Sequence, residues 1–283
     1  MIDGWKYYNH AAVPSTAPHL EVNIEPIRNG SVWRINRKKP LFARWTSNFD
    51  IGKETQWWFI ICDRPFDISL LNSKKRNVVN NGIKNCYVKV LNPLEHEYDL
   101  FCLYNEAQSS YSSKNQQFVS KSFFHNYLLS IVNNPSAFFY CCFLKDNDYL
   151  VGYSVVVEGD GFCELKSQKS RPSFEKYQVN AALVYSIMKA YEEKLKEKYY
   201  ICDGARNINH ETHFQDYLEK YFGFRKAYCY LHIKYRFPFS TIIKILYPIR
   251  KVIKKFSGNK LFHQIYAVLT MEEIVRIEDK KSE

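Results

Sequence analysis

The sequence predicts an α+β fold with a mixed central sheet flanked by helices, and three observations carry that expectation. Between residues 137 and 167 three strand-like segments follow one another. Their linkers, Lys145-Asp146-Asn147-Asp148 and Gly159-Asp160-Gly161, suit antiparallel hairpins. The clearest helical period of the chain comes next, over 173–198, with Val179, Ala182, Leu183, Ile187, Ala190 and Leu195 on one face. An apolar strand at 199–202 follows at once, then a polar turn, a short helix over 212–221 and an alternating strand over 227–235.

The preceding elements are read in order. Residues 1–30 hold Pro14, Pro18 and Pro26 and are expected as loop or short strand wrapped on the body. Partial alternation around Trp33 and Trp45 marks strands over 31–35 and 41–46, joined by the basic turn Arg37-Lys38-Lys39-Pro40. The apolar run 56–62, QWWFIIC, reads as a buried strand, so one of Trp57 and Trp58 faces inward. Helices are expected over 67–84, 95–107 and 116–132, and a strand over 86–91 that Asn92-Pro93 stops. At the far end, 240–256 forms an amphipathic basic helix kinked at Pro248. Its stripe of Ile242, Ile245, Leu246, Ile249, Val252, Ile253 and Phe256 is expected to pack on the protein's own sheet. A last helix covers 261–274, and 280–283 frays.

Composition narrows the class. The 283 residues are 46% hydrophobic, 24% charged and 17% aromatic, which fits a globular protein with an aromatic-rich β core. Net charge is +11, and 220–271 alone holds eleven Lys or Arg with no Asp or Glu, so the rest of the chain balances to zero. Such a segment either attracts phosphate-rich partners (nucleotide, nucleic acid or anionic lipid) or is a solvated basic face. Eight cysteines, no C-x-x-C pair and no secretory leader predict reduced thiols in a cytoplasmic protein and no structural zinc. No apolar run approaches the ~18 residues of a membrane span.

Gly152 stands mid-way along the second of the three strands, and Gly223-Phe224-Arg225 follows the short helix. With the element order, these features resemble the second half of the acyl-CoA N-acyltransferases of the GNAT type, over residues 86–235 or so. Upstream, Lys75-Arg76-Asn77 through Gly82-Ile83-Lys84, with the strand and helix after it, is similar to the opening of a GNAT-like domain in Fem-type aminoacyltransferases. Those enzymes carry duplicated domains and a helical arm and depend on tRNA; this chain shows one complete candidate domain and no heptad arm. The implied division is an extension over 1–84, a GNAT-like domain over 85–237 and a basic helical tail over 238–283.

The resemblance implies an acyl-CoA donor, acetyl-CoA or another, held where the third strand meets the long helix. Gln168, Lys169, Ser170, Arg171 and Ser173 occupy that junction. Lys169 and Arg171 supply charge, and Ser170 or Ser173 is expected to cap the helix. The family's glycine-bearing signature is missing, because no glycine occurs from 162 to 201, which leaves open a donor other than a CoA thioester.

Asp203, Arg206, His210 and His213 cluster just past a strand end, where open sheets place ligands. Transfer to an amine needs a base, for which Asp203, His210 and His213 are candidates, and an acid, for which the resemblance points to Tyr217 or Tyr221. Arg206, Tyr177 and Gln215 are candidate substrate contacts, although Asp203 and Arg206 also suit a structural ion pair. Cys202 belongs to the core rather than to thiol catalysis, and His210 and His213 lack a third ligand for a metal. Three functions remain in view. The first is acyl transfer from acyl-CoA to an amine of a small molecule, sugar or peptide. The second is Fem-like transfer from charged tRNA. The third is a non-catalytic scaffold that binds anionic membrane or, less favoured, nucleic acid through its basic segment.

Overall fold

The computed structural model describes residues 4–111, 116–208 and 213–282. Along the chain the elements are β1 (Trp5–Tyr8), β2 (Ala11–Pro14), α1 (Glu25–Arg28), β3 (Phe42–Ser47), β4 (Trp57–Cys62), α2 (Ser73–Asn85), β5 (Cys86–Val90), α3 (Glu97–Ser109), α4 (Lys121–Val132), β6 (Ala137–Leu144), β7 (Leu150–Gly159) and β8 (Phe162–Ser170). They continue with α5 (Val179–Ala190), β9 (Tyr200–Ala205), α6 (Phe214–Phe222), β10 (Arg225–Tyr235), α7 (Phe239–Leu246), α8 (Arg250–Lys255) and α9 (Lys260–Ser282). No helix among the described residues is long and apolar enough to cross a membrane. All eight cysteines are free thiols.

The elements assemble into two compact units, Met1–Phe59 with Ala205–Thr212 and Lys226–Glu283, and Ile60–Gly204 with His213–Arg225. In the first unit β1 and β2 form an antiparallel hairpin, β2 runs parallel to β3, and β3 pairs antiparallel with β10. The alternation of β10 puts Cys229, Leu231, Ile233 and Tyr235 on one face, where they meet Phe42, Trp57 and the α9 residues Met271 and Ile274. Of the tryptophan pair, Trp57 is buried and Trp58 only partly so, as their neighbouring strand positions require.

The second unit holds a mixed sheet in which β5, β6, β7 and β8 are antiparallel neighbours and β9 runs parallel to β8. Phe139, Cys141, Phe143, Tyr153 and Val155 point to one face and meet Leu100 and Leu103 of α3 and Phe124, Leu128 and Ile131 of α4. The opposite face carries α5. A Cβ on Gly152 would lie 2.6 Å from Val179 Cγ1, so the glycine in β7 lets α5 close onto the sheet. Helix α2 packs on α5 in turn through Gly82.

Three expectations are corrected. Residues 31–35 are not a strand: Ser31–Arg37 is a 3-10 helix that buries Val32 and Ile35, spaced one 3-10 turn apart. The helix expected from 173 begins at Val179. Pro172–Tyr177 is a separate 3-10 turn, and Gln178, at φ 56°, bends the chain into α5. Ser170 and Ser173 therefore do not cap it. The terminal helix runs on to Ser282 rather than fraying at 280. The expected break at Pro248 is present, as a 3-10 turn over Tyr247–Ile249 between α7 and α8.

Glycine within a helix ordinarily costs about 1 kcal/mol relative to alanine. At position 82 the sign reverses, because a Cβ would stand 2.8 Å from the Gln178 carbonyl oxygen and 2.9 Å from the Ala182 nitrogen, both backbone atoms. Gly82→Ala is expected to destabilise by about 1–3 kcal/mol. Thermal unfolding checks this, and a raised Tm would refute it.

Candidate functional site

The sheet of the second unit opens on one side. Strands β8 and β9 pair only at Phe162↔Tyr200, Cys163↔Ile201 and Glu164↔Cys202, although β8 continues to Ser170 and β9 to Ala205. The cause is local. The β7–β8 register passes from Val156↔Leu165 to Val155↔Ser167, so Lys166 is an extra residue on β8. Such a bulge bends its own strand, and this one sits just where the two strands part. The sequence signals it faintly, as the loss of apolar alternation after Leu165.

Asp203 is the first residue of β9 beyond the last pair. It is half-buried, and desolvation pushes its carboxyl up to about 7. A hydrogen bond from the Gln215 side chain opposes that rise, and the charge of Glu164 adds to it. Gln215 is buried at the start of α6, and its Nε2 also reaches the Asp203 carbonyl oxygen at 3.5 Å. Glu164 itself is bonded by Lys166. Two predicted residues, Asp203 and Gln215, are thus brought together, beside two that sequence reasoning missed.

The other expected catalytic groups are placed differently. His213 precedes α6 with its side chain 90% exposed and Nδ1 3.1 Å from Asp216 Oδ2. Tyr217 lies in a ring cluster with Phe214, Tyr221 and Phe222. Its hydroxyl is buried without a hydrogen-bond partner among the described residues, and desolvation holds it protonated. Tyr221 is half-buried beside it. His210 lies outside the described residues. Arg206 donates through Nη1 to the Gln56 carbonyl at 2.5 Å and lies 4.5 Å over the Trp58 ring. Tyr177 stacks on Phe174 in the 3-10 turn. Cys202 is 1% exposed and burial pushes its thiol well up, which disfavours the thiolate. Among the described residues no cluster of three metal-ligating side chains occurs.

The junction expected to hold a donor's phosphates is turned inward. Gln168 bonds Asn180 of α5 through Nε2 at 2.9 Å, and its Oε1 is buried without a partner among the described residues, as is Oγ of its cross-strand neighbour Ser154. Lys169 Nζ lies 2.9 Å from the Tyr111 hydroxyl. Arg171 is 6% exposed; Nε donates to the Leu150 carbonyl at 3.0 Å and Nη1 to Glu106, while Ser173 Oγ bonds the same carboxylate at 3.3 Å. In the first turn of α5 the Ala181 and Ala182 amides both bond the Gln178 carbonyl.

This architecture has solved relatives. FemX aligns with a TM-score of 0.52 at 9% identity, over 86% of this chain and 85% of its own. L-PGS from Bacillus licheniformis aligns at 0.50 and 10% identity, over 86% and 83%. The fold is the GNAT-like one of FemX. A GCN5-related N-acetyltransferase from Sphaerobacter thermophilus is also similar, at 0.44 and 10% identity over 82% and 75%. No family model and no curated protein sequence matches the chain. At these identities the likeness is one of fold, with the sheet from β5 to β9 and α5 as expected from sequence.

The pair of buried Arg171 with half-buried Glu106 makes a stability prediction. Arg171→Ala leaves a partly buried carboxylate without its partner and is expected to cost about 3 kcal/mol. Denaturant unfolding checks this; an unchanged midpoint would mean that Arg171 is dispensable for folding and free to serve a ligand.

Proposed function

We propose that the protein is an acyltransferase in which Asp203 is the general base. The observation that carries this reading is the Asp203 carboxyl, placed where β8 and β9 part and pushed up to about 7. A base titrating near neutrality combines a usable ionised fraction with real proton affinity. The attacking nitrogen of an amine acceptor bonds to the acyl carbon and gives its proton to Asp203. The acyl–leaving-group bond then breaks, and protonated Asp203 returns that proton to the leaving atom; the Tyr217 hydroxyl, buried within its ring cluster, takes no part. The GNAT-like fold supports the reaction class, and the acceptor is an amine of a small molecule, peptide or sugar.

For the donor, acyl-CoA and an aminoacyl ester carried by tRNA both suit such chemistry. The geometry favours the second. Lys169 and Arg171, the cations of the junction, bond protein groups instead of facing a ligand, which argues against a pyrophosphate there. Transfer assays with both donors and a panel of amines test this. Transfer from charged tRNA with no acyl-CoA effect on Tm is expected. Transfer from acyl-CoA with a raised Tm would restore the first donor, and failure of both would remove the function.

The pH dependence follows from Asp203. Activity requires its ionised form, so kcat/KM is expected to rise with pH through a midpoint near 7. Asp203→Asn is expected to lower it by about 10²- to 10⁴-fold. Stability runs the other way. With the folded value at about 7 against 3.8 ordinarily, the protonated group's contribution is full below about 4 and lost as pH rises through 7. Wild type is therefore expected to lose Tm relative to Asp203→Asn between those limits. A parallel loss of activity and Tm at pH 8 in the variant would make Asp203 structural.

A further inference from the structure

We propose that the outer face of α7 and α8 binds the surface of an anionic lipid bilayer. The segment carries two apolar stripes rather than one. Ile243 and Ile253 are buried against Leu269 of α9, with Leu246 partly so, and Arg250 bonds Glu273 of α9 at 2.7 Å. Ile242, Ile245, Ile249, Val252 and Phe256 are exposed, Ile245 at 67%. Their spacing of three and four residues aligns them across the Pro248 break, roughly 100° around the helix from the buried stripe. Lys244, Lys251 and Lys255 are exposed and occupy the remaining side. Of the seven residues expected to pack on the sheet, only Leu246 and Ile253 are packed, against α9, while the other five are exposed. Phe237, 80% exposed, stands just before α7.

Charge decides the occupant. No acidic residue occurs from 220 to 271, so nothing in the segment repels an anionic surface. A second copy would bring lysines against lysines around a shared apolar seam, which opposes self-association. RNA would meet the lysines, but the centre of the face, Ile245, Ile249 and Val252, is aliphatic, and the exposed rings Phe237 and Phe256 stand only at its two ends. A bilayer satisfies both parts: the outer stripe enters the headgroup–acyl boundary while the lysine stems bend their ammonium groups back to the lipid phosphates.

The test is co-sedimentation of the full chain with phosphatidylglycerol–phosphatidylcholine vesicles, with phosphatidylcholine vesicles as control. Wild type is expected to bind the anionic vesicles, and raised salt to weaken that binding. The double variant Ile245→Ser with Ile249→Ser is expected to bind at least about tenfold more weakly. Its Tm should not change, because both side chains are exposed. Equal binding by the double variant, or no binding by wild type, overturns the proposal. So does a wild-type dimer that the double variant converts to monomer, or RNA binding that the double variant loses in parallel. None of these outcomes depends on the acyl-transfer reading.

Discussion

The second unit depends on how closely α5 is held. Two glycines set that distance. Gly152 removes the side chain that would strike Val179 and Leu183 from the sheet, and Gly82 lets α2 approach the Gln178 carbonyl and Ala182 from the other side. Close packing of this kind is unforgiving, since backbone cannot step aside as a flexible side chain can. It also has a steric consequence. The first turn of α5 is pressed against α2 at Gln178 and Ala182, so the same contact that stabilises the unit leaves little room on that side of the turn.

Much of this was legible because it rests on period and punctuation. The strands from β5 to β9 follow from apolar runs and short polar linkers. The left-handed turn at Gly223, φ 68°, follows from a glycine after a short helix. What the sequence concealed were positions where tertiary partners decide. Val32 and Ile35 fit a 3-10 turn as well as a partial strand, and only their burial chooses. Arg171 in a polar, glycine-free junction reads as a ligand-facing cation; Glu106, some 65 residues earlier, claims it instead. Lys166 is one more polar residue in a polar run until its register against β7 shows it to be a bulge.

Amphipathic segments show the same limit in another form. Residues 242–256 carry an apolar arc wide enough for two partners, and the sequence reports its width but not how much of it the protein covers. α9 takes the side with Ile243 and Ile253 and secures it through Arg250 and Glu273. The uncovered side is a cost in water, because exposed Ile and Val side chains forgo burial worth roughly 1.5–3 kcal/mol each. A lone exposed apolar residue needs no account, but five in register beside lysines do.

Asp203 poses the corresponding question at the other end of the polarity scale. Its carboxyl is desolvated with one amide donor and an acidic neighbour, Glu164, so its ionised form is poorly compensated where it stands. An arrangement built only for stability would give it a cation or replace it with an amide. Lys166, on the adjacent strand, bonds Glu164 rather than Asp203, so that cation is spent on the neighbour. The bulge thus acts twice: it parts β8 from β9, opening the sheet at Asp203, and it carries the lysine that offsets Glu164. The result is a carboxyl able to take a proton near pH 7, at the only point along β9 where pairing with β8 has just ended.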